Sequence, residues 1–199
     1  MNSRSVSGWT RVAAWTALVT ALPITLQAHP GHPEVSSWIS GAFHPLSGWD
    51  HALALLGAGL WGVQWGGRAR WVFPAVFLGG MAAGVPLATR VGTLPGLESF
   101  VLASLLVLGL GLAFAVRASL PAAASLVGVF ALAHGASHGL ESGPGLPPMA
   151  YAAGFLMSSA VWLAIGAGLG LAARRLHEER WLRWAGAALA IGGLWGLAA

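Results

Sequence analysis

Along the chain, long apolar runs alternate with short polar breaks, and the runs have the length of membrane spans. Six of them follow one another, at about residues 44–65, 71–88, 97–116, 121–140, 148–172 and 182–199. A helix needs about 17–25 predominantly apolar residues to cross the hydrocarbon core. The breaks GGRAR, TRVGTLPG, RASLP, ESGPGLPP and ARRLHEERWLR are charged or rich in turn formers. Only the second run, interrupted by Gly84 and Pro86, conflicts with simple helix propensity. The pattern predicts an all-α fold, a polytopic membrane helix bundle of about six transmembrane helices, with no soluble domain.

The first 28 residues read differently. Arg4 and Arg11 precede an apolar stretch from Val12 to Leu26, which ends in the small-residue sequence Leu26-Gln27-Ala28. This is the arrangement of a secretory signal peptide. The expected organisation is a signal peptide over residues 1–28 and a single transmembrane helical domain over 29–199. The alternative is an uncleaved first transmembrane helix.

Composition narrows the class. Hydrophobic residues make up 56% of the chain and charged residues only 8%, against about 25% charged in soluble domains. The basic residues are all arginine and stand singly or in short groups between apolar runs. They are topology determinants rather than a phosphate-tracking patch, so no nucleic-acid partner is expected despite the basic balance. There is no cysteine and there are only four methionines, which excludes thiolate sites and argues against a Cu(I) path. Arg68 and Arg70, Arg117, and the group Arg174, Arg175, Arg180 and Arg183 fall in alternate loops of a six-helix arrangement, whereas the opposite loops carry only Arg90. The positive-inside rule then predicts a bacterial inner-membrane protein whose mature N-terminus and C-terminus both lie outside the cytoplasm.

Against this background the polar residues can be weighed one at a time. FHPLSGWDHALAL holds His44, Asp50 and His51, and FALAHGASHGLES holds His134, His138 and Glu141. In one continuous helix His44 and His51 would share a face about 10 Å apart, with Pro45 in the first turn. His134 and His138, at i and i+4, face the same way, and Glu141 follows on their stripe. Asp50 can bind metal or orient a neighbouring imidazole. The predicted topology brings both clusters to one depth on the external side, with Glu98 at that level and His29, His32 and Glu34 above it.

A lone histidine in a membrane helix can simply hydrogen-bond a neighbouring helix, and Glu98 can be a partner for a helix dipole. Several ionisable groups at one level mark a pathway or site. His177 reads as part of a solvated loop. The tryptophans read as interface anchors, Trp49 included although it stands inside the first cluster.

The N-terminal His29, the sequence HPLSGWDH at His44 to His51 and HGASHGLE at His134 to Glu141 resemble the HupE/UreJ family of nickel permeases, as does GFLMSSA at the start of the fifth span. The resemblance extends over essentially the whole mature chain. It implies a secondary transporter for Ni(II), or sometimes Co(II), serving cells that make hydrogenase or urease. It also implies that His44, Asp50, His51, His134, His138, Glu141 and His29 are metal-path residues, with His32 and Glu98 as weaker candidates. The chain departs from the family pattern in the fifth span, where VWLAIG has no histidine, and at Ser137 and Ser142.

The expected function is therefore import of a divalent transition metal as cargo, with no permanently bound cofactor and no enzymatic activity. The partners are the metal ion and the lipid bilayer. Imidazole suits Ni, Co, Zn and Cu(II), and carboxylates neutralise charge. No nucleotide-binding loop is present, so the membrane potential, an ion gradient or a separate partner must supply the energy. The rivals are an intramembrane metal-dependent hydrolase, with Glu141 or Asp50 as general base, and a haem-binding electron-transfer protein with paired histidines.

Overall fold

The computed structural model describes residues 37–92, 94–141 and 148–199, and among these every regular element is a helix. They are α1 (Ser37–Ser47), α2 (Trp49–Trp65), α3 (Ala69–Val91), α4 (Leu97–Ala113), α5 (Leu120–Glu141), α6 (Pro148–Arg175) and α7 (Arg180–Ala198). The expected signal peptide, His29, His32 and Glu34 lie outside the described residues.

Three helical stretches, Ala69–Ala88, Leu120–Leu140 and Met149–Arg175, are long and apolar enough to cross a membrane, and Leu97–Ala113 is a shorter apolar helix. Large apolar side chains such as Val129, Val161, Ile165, Leu169, Ile191 and Leu194 are exposed along the outside. Such a surface would aggregate in water, whereas lipid is its natural solvent. The protein is a polytopic membrane helix bundle.

The first expected span differs from the pattern. It is divided at Gly48, whose backbone is extended, so His44 lies on α1 while Asp50 and His51 lie in the first turn of α2. Pro45 falls near the end of α1 rather than at a helix start. By contrast, the doubtful second span runs unbroken through Pro74, Gly84 and Pro86. Its glycines serve packing. A Cβ on Gly84 would lie 2.7 Å from the backbone nitrogen of Ala136, and one on Gly135 would lie 2.7 Å from Met81 Cα. Helices α3 and α5 thus meet backbone to backbone, the close approach that small residues allow. Similar seams join α4 to α7 through Gly109, Gly186 and Gly193, and α2 to α6 through Gly59 and Gly166. Helix α2 sits centrally, packed against α3, α4, α6 and α7, with α1 lying on α6.

One end of the bundle is held by arginines. Arg174 donates to Val63 O at 3.1 Å and Arg183 to Ala113 O at 2.9 Å, near the C-termini of α2 and α4. Gln64 donates to Leu112 O at 2.9 Å between the same two helix ends. The terminal carbonyls of a helix have no partner within it, and cations there also complement the dipole. Gly66 closes α2 with a φ of 83° and its N–H on Gly62 O, the left-handed ending that glycine adopts most easily.

Candidate functional site

The opposite end carries the histidines. His44 from α1, Asp50 and His51 from α2, Glu98 from α4 and His138 from α5 line one cleft of about 480 Å³, together with Trp49, Ser137 and Trp195. His134 lies one helical turn further along α5 and is completely buried. Glu141 is the last residue of α5, and its side chain lies outside what is described.

The imidazoles form a continuous stack. His44 and His138 meet edge to face with centroids 4.6 Å apart, His138 and His51 are 4.4 Å apart, and His51 and His134 are 4.8 Å apart. Aromatic rings wall the stack: Tyr151 is 5.7 Å from His44, Phe155 4.4 Å from His138 and Phe77 5.5 Å from His134. The stack therefore descends from the half-buried His44 to an imidazole with no exposure at all.

His51 and His134 each have one ring nitrogen engaged. Asp50 Oδ1 stands 3.0 Å from His51 Nδ1 and accepts its proton. Ser104 Oγ stands 2.8 Å from His134 Nε2. His51 Nε2 and His134 Nδ1 are buried and have no hydrogen-bond partner among the described residues. Gly48 makes room for the first pair, since a Cβ there would lie 3.0 Å from Asp50 Oδ1 and 3.1 Å from His51 Nδ1. Among the described residues no three His, Asp or Glu side chains are gathered into a ready ligand set.

Below His134 the chemistry changes. Phe73, Phe77, Leu105, Leu108 and Leu112 are fully buried, and Trp61 nearly so, in one apolar cluster. No buried ionisable group lies between His134 and the arginine end among the described residues.

The family model described as HupE / UreJ protein matches residues 17–196. The chain belongs to the HupE/UreJ family. It is also 37% identical over 184 residues to Protein HupE of Rhizobium leguminosarum bv. viciae, an alignment covering 89% of this chain and 93% of the relative. No solved structure matches significantly.

The departures of this HupE/UreJ chain can now be located. In α6, Leu163 is buried in the core and Trp162 packs against it. Ser159 donates to Phe155 O at 2.8 Å, within its own helix.

Three contributors escaped the sequence pattern. Ser104 sits about 9 Å deeper than Glu98 on the same helix, given a rise of about 1.5 Å per residue. Its only signal is being a lone hydroxyl in FVLASLLVLG. Tyr151 and Trp195 carry no such signal. The latter reaches the cleft because α7 packs on α4, and its ring lies 6.1 Å from that of Trp49. Trp49 is thus a cleft residue as well as an exposed one.

Proposed function

We propose that the chain is a secondary transporter importing a divalent transition metal, Ni(II) first and Co(II) second, through the cleft and the histidine stack. The observation that carries this reading is the stack of four imidazoles from three helices, flanked by Asp50 and Glu98 and closed below by apolar side chains. Membership of the HupE/UreJ family supports the same conclusion, as does the 37% identity to Protein HupE. The family resemblance implies a link to the supply of nickel enzymes such as hydrogenase or urease.

In this reading the cleft faces outside and the arginine end faces the cytoplasm, as the positive-inside rule requires. Glu98 and Asp50 draw the hydrated cation in, and His44, His138, His51 and His134 exchange its water for imidazole nitrogen. Glu141, the last residue of α5, belongs to the same entrance by its place in the chain. A cargo ion must bind well enough to enter and weakly enough to leave. Two charges moving inward across 100 mV gain about 4.6 kcal/mol, twice the single-charge value.

Haem ligation suits the arrangement poorly, because two axial imidazoles lie on opposite faces of the macrocycle and these rings touch each other. The test is uptake of radioactive nickel, with cobalt and zinc as competitors, in cells expressing the native chain or a His44→Ala/His51→Ala variant at equal level. Saturable uptake lost in the variant is expected, and the competition order names the ion. No uptake above empty cells for any of the three metals overturns the proposal.

A further inference from the structure

The Ser104 hydroxyl has a single proton, and two acceptors stand within reach. Its Oγ is 2.6 Å from Val101 O and 2.8 Å from His134 Nε2. A carbonyl can only accept, and two oxygens 2.6 Å apart repel unless a proton lies between them. The hydroxyl proton is therefore committed to Val101 O, and Oγ must accept from His134 Nε2–H. A neutral imidazole carries one ring proton, so the lone pair of His134 is on Nδ1. That atom is buried and has no hydrogen-bond partner among the described residues.

His51 reaches the complementary state by another route. Its Nδ1–H donates to Asp50, so the lone pair is on Nε2, likewise buried and without a hydrogen-bond partner among the described residues. The two rings are 4.8 Å apart. We propose that Ser104 is a positioning residue of the metal path, fixing His134 as the Nε2–H tautomer so that Nδ1 is the nitrogen offered to the ion. His51 then binds through Nε2 and His134 through Nδ1. The inference rests on the transport function proposed above and adds to it a residue outside both histidine motifs, together with the ligating atom of each inner ring.

Two readouts test it on the full-length chain. The first is the ¹⁵N spectrum of histidine-labelled protein in lipid, with the His134 signals assigned by their loss in His134→Gln. The native protein is expected to show Nε2–H at His134, and Ser104→Ala to shift it towards Nδ1–H. The second is nickel uptake. Loss of a partner that orients a metal-binding histidine weakens affinity or activity about 10–100-fold, so Ser104→Ala is expected to raise the apparent KM by that factor at unchanged expression. Ser104→Thr, which keeps a hydroxyl, is expected to restore both the tautomer and most of the uptake.

Nδ1–H at His134 in the native protein overturns the inference, as does Ser104→Ala uptake with a KM within twofold of native. So does a folded Ser104→Thr variant that holds the Nε2–H tautomer yet transports as poorly as Ser104→Ala. A purely structural role for Ser104 would lower the amount of folded protein without moving either the tautomer or the KM. Failure of the native chain to take up metal would sink the transport function instead, leaving the spectrum to decide the tautomer by itself.

Discussion

Asp50 offers the sharpest test of how the stack handles charge. Its carboxylate accepts from His51 Nδ1 at 3.0 Å, and an ion on the far nitrogen of that ring would sit about 7 Å from the carboxylate, allowing about 2 Å for the metal–nitrogen bond. At an effective dielectric near 20, attraction between that charge and a divalent ion is about 5 kcal/mol, falling to about 1 kcal/mol at the dielectric of water. Asp50 is half-buried at the cleft wall, so the value lies between these limits. Asp50→Asn keeps an oxygen for the Nδ1 proton and removes the charge, whereas Asp50→Ala removes both. The apparent KM for nickel uptake is expected to rise about 10–100-fold in the asparagine variant, and further in alanine, where the ring also loses its orientation. The assay is concentration-dependent nickel uptake in cells with matched expression. An asparagine variant within twofold of native would refute the electrostatic role, and equal losses in both variants would refute the separate role in orientation.

Other expectations follow from the packing. Gly135→Ala places a Cβ against the Met81 backbone and should destabilise the α3–α5 seam by about 1–3 kcal/mol, whereas Gly168→Ala meets nothing within 4 Å and should leave the melting temperature unchanged; thermal unfolding in detergent compares them. Arg183→Gln removes an exposed bond to Ala113 O and should cost no more than about 1 kcal/mol while leaving nickel uptake intact, which unfolding and uptake measured together will check. Ser159→Ala should leave the KM for nickel unchanged, because that hydroxyl is spent within its own helix; a tenfold rise would show that the fifth span contributes a donor after all.

Much of the architecture was legible because membrane spans announce themselves by length and hydropathy. The pattern put the second to sixth spans within three residues of α3 to α7 at nearly every boundary. The break at Gly48 was hidden because Pro45 is equally compatible with the start of a helix. What divides the segment is tertiary: α1 lies along α6 with Gly41 and Gly154 at the contact, while α2 crosses to the centre of the bundle. The common level of His44, Asp50, His51, Glu98 and His138 was foreseeable, since alternate spans run in opposite directions and fix which ends meet. Ser104 and Trp195 were not, because their place depends on which helices are neighbours. That is decided by seams such as Gly109 against Gly186 and Ala190, and a sequence containing 29 glycines does not say which pairs with which.

Magnitudes also decide what kind of transporter this would be. An ion leaving His134 towards the arginine end would meet Phe77, Leu108, Phe73, Trp61 and Leu112 and, among the described residues, no buried ionisable side chain. Stripping a charged group of polar contacts in such surroundings costs on the order of tens of kcal/mol. The membrane potential supplies about 4.6 kcal/mol per 100 mV for a divalent ion, so no plausible voltage forces it through the closed floor. If the chain transports as proposed, this arrangement is closed to the ion, and import needs a second one in which the apolar floor opens. Under the proposed function the apolar floor, not the histidine stack, is the barrier to be removed.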